Sequence, residues 1–153
     1  MPGFKKLLFP IDFSEVSPKM APWALTVAKK FSAEIHLLFV ARRLEHLSSL
    51  NVAQVSIEDF ENEVIRGAET KMEEFATKHF QAYSACKTSV VLGDAAEEIL
   101  NYVKSEEIDL IVIGTHGRKG IERILFGSVA ERVIKMSPVP VMSINPYRTR
   151  TAS

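Results

Sequence analysis

Five short, almost continuously apolar runs punctuate the chain, at residues 7–11, 35–41, 88–92, 110–113 and 139–144. Unbroken apolar runs of this length predict strands covered on both faces, as in a parallel sheet, rather than half-solvated alternating strands. Between them the apolar positions recur at helical spacing. Ala24, Leu25, Ala28 and Phe31 make the stripe of a helix predicted over 20–31. Phe60, Val64, Ala68, Met72, Phe75 and His79 make that of a long helix over 57–80. A third helix opens at Asp94, with Glu97 at capping-box spacing, and buries Ile99, Leu100 and Val103. A fourth opens at Ser128 with Glu131 three residues on.

Strand–helix alternation repeated four times and closed by a strand predicts an α/β fold, a Rossmann-like or flavodoxin-like three-layer sandwich with right-handed crossovers. Ligands of such sheets sit beyond the carboxyl ends of the strands, where the strand order reverses. Two connections are longer than the fold needs, 42–56 and 114–127, and loops of that length are commonly functional. Residues 1–146 read as one domain. The polar tail 147–153 is expected to be disordered.

The 153 residues are 46% hydrophobic and 25% charged, the composition of an ordinary globular domain and a poor match to disorder, collagen or coiled coil. Nineteen Lys and Arg balance nineteen Asp and Glu. Without a basic surplus, nucleic acid is not expected as the main partner, because phosphate neutralisation supplies most of such affinity. The single cysteine, Cys86, has no partner for a disulfide and no metal-ligand spacing around it, which points to a reducing, cytoplasmic setting. Lys5-Lys6 and the apolar residues after them resemble the start of a signal peptide. The run contains Pro10 and stops at Asp12, too soon for one. No apolar stretch reaches the roughly 18 residues that a membrane span needs, so no membrane partner is expected.

Most of the chemistry lies after the fourth predicted strand. Asp109-Leu-Ile-Val-Ile113 runs into Gly114-Thr115-His116-Gly117; nine residues later, Gly127-Ser128 opens a helix. Glycine lets the backbone turn sharply and lets a ligand approach closely. A helix N-terminus presents N–H groups and the positive end of a dipole, a ready anion site for which phosphate is the obvious guest. The plainer alternative is that each glycine only turns the chain and that Ser128 is a cap paired with Glu131. Between Gly114 and Lys135, Arg118, Lys119, Arg123, Arg132 and Lys135 face only Glu122 and Glu131. That local excess suits a phosphate tail, although each cation could equally be solvated.

Glycine, two residues, glycine, nine residues, glycine, serine resembles the nucleotide-loop signature of the universal stress protein family, matched here by Gly114, Gly117, Gly127 and Ser128. Lys5-Lys6-Leu-Leu-Phe-Pro-Ile-Asp12 is similar to the family's first strand, which ends in an aspartate. Val40 stands where the family has a valine, and Val139-Pro140-Val141-Met142-Ser143-Ile144 resembles its last strand. The resemblance covers residues 4–146. It implies a five-stranded parallel sheet in the order 3-2-1-4-5 with four helices, ATP as ligand with Mg2+ held through the phosphates, and a homodimer paired through the last strands. Carried over by position, Asp12, flanked by Pro10 and Ile11, contacts the adenosine part, and the main chain around Val40 recognises adenine. Gly114, Gly117, Gly127, Ser128 and the Val129 amide hold ribose and phosphates, with Ile113, Thr115 and His116 inside the same motif. The keeping of the full signature is similar to the ATP-binding branch of the family.

Catalysis is less well supported. His116 could act as a general base, but no acid stands beside it in sequence to orient it. His36, His46 and His79 show no metal spacing and read as structural or exposed. No Walker-type loop or nucleophile elbow occurs, and an efficient phosphoryl-transfer site would need more than a phosphate cradle. A nucleotide-dependent binding and regulatory module therefore ranks ahead of a slow ATPase or phosphotransferase and of a nucleotide-free structural dimer. The last strand, as an exposed apolar edge, itself invites pairing with a second copy. The acidic outer face of the long helix is read as solvated or as a place for a protein partner.

Overall fold

The computed structural model of the chain describes residues 3–44, 50, 53–115 and 125–147. Within them, nine elements alternate: β1 (Lys6–Pro10), α1 (Val16–Phe31), β2 (Glu34–Ala41), α2 (Gln54–Phe80), β3 (Cys86–Leu92), α3 (Ala95–Ser105), β4 (Leu110–Gly114), α4 (Leu125–Met136) and β5 (Val141–Ile144). The strands form one sheet in the order β3-β2-β1-β4-β5, and every neighbouring pair is parallel. The α/β Rossmann-like architecture expected from the sequence is the one found.

Alternation along the buried strands divides the core in two. Leu7, Phe9, Ile35, Leu37, Leu110 and Val112 face α1 and α2, where Met20, Ala24, Met72, Phe75 and Phe80 cover them. Leu8, Leu38, Ile111 and Ile113 face α3 and α4, against Ala96, Ile99, Val103, Ala130 and Val133. Both faces being covered is the reason these strands read as unbroken apolar runs. Because α1 follows β1 on one face and α4 follows β4 on the other, the chain leaves these two adjacent strands in opposite directions. That is the crevice-forming arrangement of an open α/β sheet.

Several boundaries differ from the sequence expectation. α1 starts at Val16, not Met20, so Pro18 falls in its first turn, where a missing N–H costs nothing; Pro22 also lies within the helix. It ends at Ser32 in the left-handed conformation (φ 53°), with Ala33 N–H donating to the Ala28 carbonyl at 2.9 Å. β5 begins at Val141, not Val139, because Pro140 has no N–H for the ladder; its carbonyl still accepts from Ile111 N–H at 3.0 Å. The Asp94 cap is present, its carboxylate accepting from Glu97 N–H at 3.0 Å. Ser128 is not a cap: α4 begins three residues earlier, so Gly127 and Ser128 lie inside its first turn. The Ser128–Glu131 spacing that suggests a capping box is equally an i, i+3 spacing within a helix.

The stripe of α2 is buried only in part. Ala68, Met72 and Phe75 are covered, whereas Phe60 is 54% and Val64 36% exposed. A helix of 27 residues spans about 40 Å, and the seven residues of β3 about 23 Å, so the helix outruns the sheet that buries it. Phe31 of the α1 stripe is also largely exposed, packed edge-on against Phe4. Gly93, between β3 and α3, has φ +151°, and a Cβ there would come within 2.6 Å of the Glu98 side chain; this turn requires glycine. Among the described residues, no helix is long and apolar enough to cross a membrane.

Candidate functional site

At the carboxyl ends of β1 and β4 the surface dips into a small, shallow cleft lined by Phe9, Pro10, Asp12, Val16, Ser17, Met20 and Gly114. Three residues singled out from the sequence, Pro10, Asp12 and Gly114, thus meet around one opening at the reversal point. Asp12 is held firmly. Its Oδ1 accepts from Ser14 N–H at 2.9 Å and from the Ser17 hydroxyl at 3.2 Å, while Ser17 Oγ accepts from Asp12 N–H at 3.3 Å. Its Oδ2 has no donor among the described residues. The first bond is the Asx-turn closure that an Asp-x-Ser sequence favours.

Ser17 is the positioning residue that sequence reasoning missed. It is 3% exposed and grips both the carboxylate and the backbone of Asp12. No local sequence signal marks it, because only the turn brings a residue five positions on back to Asp12. Phe13, between them, was also missed. It holds φ +59°, a left-handed conformation that costs a non-glycine residue about 1–2 kcal/mol. Its ring packs against Phe39 with centroids 4.5 Å apart, and Lys71 Nζ stands 5.9 Å from it. Packing of that ring holds the turn that sets Asp12.

Gly114 has a packing reason of its own. A Cβ there would meet Met20 Sδ at 3.3 Å and Val16 Cγ1 at 3.5 Å, so α1 crosses close over this point of β4. Gly127 differs: a Cβ would meet nothing within 4 Å among the described residues. The remaining predicted residues divide between the faces. Ile11 is buried and its N–H donates to the Leu38 carbonyl at 2.9 Å. Ile113 is fully buried in the α3–α4 core, with Val40 and Val129 packed against the same cluster. The buried Ile11 and Ile113 leave only their main chains for a ligand, whereas Val40 and Val129 are partly exposed. Thr115 N–H donates to the Ile144 carbonyl at 2.9 Å, tying the start of the glycine loop to β5. His116 and Gly117 lie outside the described residues, as do Arg118, Lys119, Arg123 and His46.

Two cations expected near a phosphate tail are paired within the fold. Arg132 Nη1 donates to Asp94 Oδ2 at 3.0 Å, and Lys135 Nζ lies 3.0 Å from Glu131 Oε1. Tyr147, following β5, rests on α1, its hydroxyl donating to Glu15 Oε1 and its ring under Lys19 Nζ at 4.4 Å. Cys86 is half-buried, and burial pushes its thiol up to about 11, so it stays a passive thiol at ordinary pH.

A second polar group is buried toward the opposite end of the sheet. His36 on β2, 1% exposed, lies between Glu34 Oε1 at 2.6 Å from Nε2 and the Tyr102 hydroxyl at 2.7 Å from Nδ1. In the tautomer that satisfies both, Nε2–H donates to the carboxylate and Nδ1 accepts from tyrosine. Burial, with the charges of Glu106 and Glu34, pushes Tyr102 up to about 12, so it remains a donor. Burial also pushes the Glu34 carboxyl up, but the His36 hydrogen bond and Lys87, with Nζ 3.5 Å away, outweigh it and hold the carboxyl below its ordinary 4.5. A carboxyl depressed by folding stabilises the native state above its unfolded value, and that contribution is lost as pH falls through the depressed one. Glu34→Gln is therefore expected to flatten the acid limb. In urea titrations between about pH 3 and pH 6, wild-type stability should fall more steeply below about 4.5 than the variant's. Parallel curves would refute the assignment.

This is a parallel α/β domain with a carboxyl-end crevice between β1 and β4, the class of fold that receives nucleotides and similar ligands at its strand ends. The family model of the universal stress protein family matches residues 3–145, and the chain belongs to that family. Universal stress protein MJ0531 of Methanocaldococcus jannaschii is 34% identical over 146 residues, covering 92% of this chain and 82% of that protein. Universal stress protein MJ0577 of the same organism is 35% identical over 157 residues, covering 92% and 94%. The solved structure of MJ0577 superposes with a TM-score of 0.80, covering 98% of this chain and all of that one, at 29% identity over the superposition. A universal stress protein from Archaeoglobus fulgidus, solved in complex with dAMP, shares the fold at a TM-score of 0.65 and 16% identity, over 95% of this chain and all of that one.

Proposed function

We propose that this universal stress protein is a cytosolic, ATP-binding regulatory module that works as a homodimer. The carrying observation is the cleft where β1 and β4 diverge, with Asp12 oriented at its rim and the first turn of α4 following from the neighbouring strand. With Oδ1 occupied by Ser14 and Ser17, Asp12 has Oδ2 to accept a hydroxyl or amine of the adenosine part. The main chain near Val40 meets adenine, while Gly114, Gly127, Ser128 and the Val129 amide cradle ribose and phosphates, helped by the dipole of α4. The A. fulgidus dAMP complex supports the fold's capacity for a nucleotide. Mg2+ would enter with the nucleotide, held through the phosphate oxygens. For the homodimer, β5 is an edge strand, and Met142 on it and Ile134 and Met136 on α4 are exposed apolar side chains that a second copy would cover.

One observation favours a second reading, a structural dimer without nucleotide: the contact of α1 with β4 already accounts for Gly114. Denaturing freshly purified protein and identifying released nucleotide by ion-exchange chromatography separates the two. Near-stoichiometric ATP is expected. Mostly ADP would turn the reading toward slow hydrolysis. An empty protein that also fails to bind Mg-ATP in titration would leave the structural dimer.

A further inference from the structure

The Asp94–Arg132 pair ties the N-terminus of α3 to α4, the two helices that cover the face of the sheet opposite α1. Asp94 follows β3 and caps α3, three residues beyond Val91; Arg132 is three residues beyond Val129 on α4. Val40, Val91 and Val129 all pack against the same core cluster. Asp94 thus follows, by three residues, the strand neighbour of the proposed adenine position, and Arg132 follows the proposed phosphate position by about one helical turn. It is loosely held. Both partners are about half exposed (53% and 50%), and the Asp94 oxygen that accepts from Arg132 is also the one that caps α3 through Glu97 N–H. Exposed ion pairs of this kind favour the paired state by no more than about fivefold. Phosphate offers a guanidinium a stronger, bidentate partner. Arg132 lies one helical turn beyond Ser128, on the same face of α4, and helical side chains lean toward the N-terminus, where phosphates would sit.

We infer that Arg132 is a specificity-determining residue that exchanges Asp94 for the ligand's phosphates, with Asp94 as its placeholder in the ligand-free protein. The inference rests on the nucleotide-binding reading above and assigns to that site its means of telling phosphorylated from neutral nucleosides. Adenosine leaves the ion pair intact; ATP breaks it. Lys135, paired with Glu131, stands about one turn farther from the N-terminus of α4 and is given no part in the exchange.

Calorimetric titration of the full chain with ATP and with adenosine tests this in wild type, Asp94→Asn, Arg132→Gln and the double variant. Asparagine keeps the α3 cap while removing the charge, so folding is preserved. Asp94→Asn is expected to tighten ATP about twofold to fivefold by releasing Arg132, with adenosine unchanged. Arg132→Gln should weaken ATP about tenfold, again sparing adenosine, with partial rescue by Arg132→Lys. In the Arg132→Gln background, Asp94→Asn should no longer tighten ATP. Equal tightening in both backgrounds would mean simple repulsion by Asp94 and overturn the exchange, as would equal changes for ATP and adenosine. Wild type that binds no ATP at all would overturn the nucleotide reading, and this inference with it.

Discussion

Gly127→Val is expected to remove nucleotide-induced stabilisation while leaving the ligand-free fold standing. A Cβ at this position meets nothing within 4 Å among the described residues, and glycine in a helix is among the poorest choices for stability. Ligand-free stability should therefore change by less than about 1 kcal/mol, and Gly127→Ala should raise it by up to about 1 kcal/mol. The proposed ligand is what objects. A branched side chain in the first turn of α4 stands where phosphate must approach the backbone, and losing charge-assisted N–H bonds costs about 1.5–3 kcal/mol, roughly tenfold to a hundredfold in affinity. Thermal unfolding with and without ATP, paired with calorimetric titration, reads both quantities. Unchanged ATP affinity in Gly127→Val would take the phosphate site away from α4. Gly114→Val cannot make this distinction, because it must also displace Met20 and Val16, at about 1–3 kcal/mol in its own right.

The largest loss of stability is expected from Phe9→Ala. Phe9 is 1% exposed near the carboxyl end of β1, its ring centroid 6.4 Å from that of Phe75 and 6.3 Å from that of Phe80, which are themselves 6.2 Å apart. Removing it takes away the platform on which the last turns of α2 rest and leaves a void that a sheet held on both sides cannot close. Such truncations cost about 3–5 kcal/mol, and for a domain of this size the midpoint should drop by about 6–20 °C. Phe9 also lines the cleft, so the ligand site should loosen with the core. Phe9→Leu should recover more than half of the loss. A measured cost below about 1 kcal/mol for Phe9→Ala would contradict the packing described here.

Legibility in the sequence followed the range of the interaction. The strands were legible because burial on both faces leaves no polar position in Leu7, Leu8 and Phe9 or in Leu110 to Ile113. The Asp94 cap was legible because donor and acceptor lie three residues apart. Asp12, Gly114 and Gly127-Ser128 were legible as a motif, with Asp12 and Gly114 then meeting at the cleft. The exposure of Phe60 and Val64 was not, since nothing in α2 records where the sheet beneath it ends. Nor was the grip of Ser17 on Asp12, which depends on a turn through the left-handed Phe13.

By itself, then, the sequence determined the alternating elements, the parallel sheet they must build and the family, and it proposed the chain positions for a ligand site. Periodicity, caps and motif spacing are properties of neighbours along the chain, and each carries its own physical signal. Only the tertiary structure decided that Gly114 packs closely against Met20 and Val16 while Gly127 meets no described neighbour. It alone decided that Arg132 is held by Asp94, 38 residues away, and that Ser17 fixes the carboxylate at the rim. Those outcomes depend on which surfaces the folded sheet brings within a few ångströms of one another, and separation along the chain does not encode that distance.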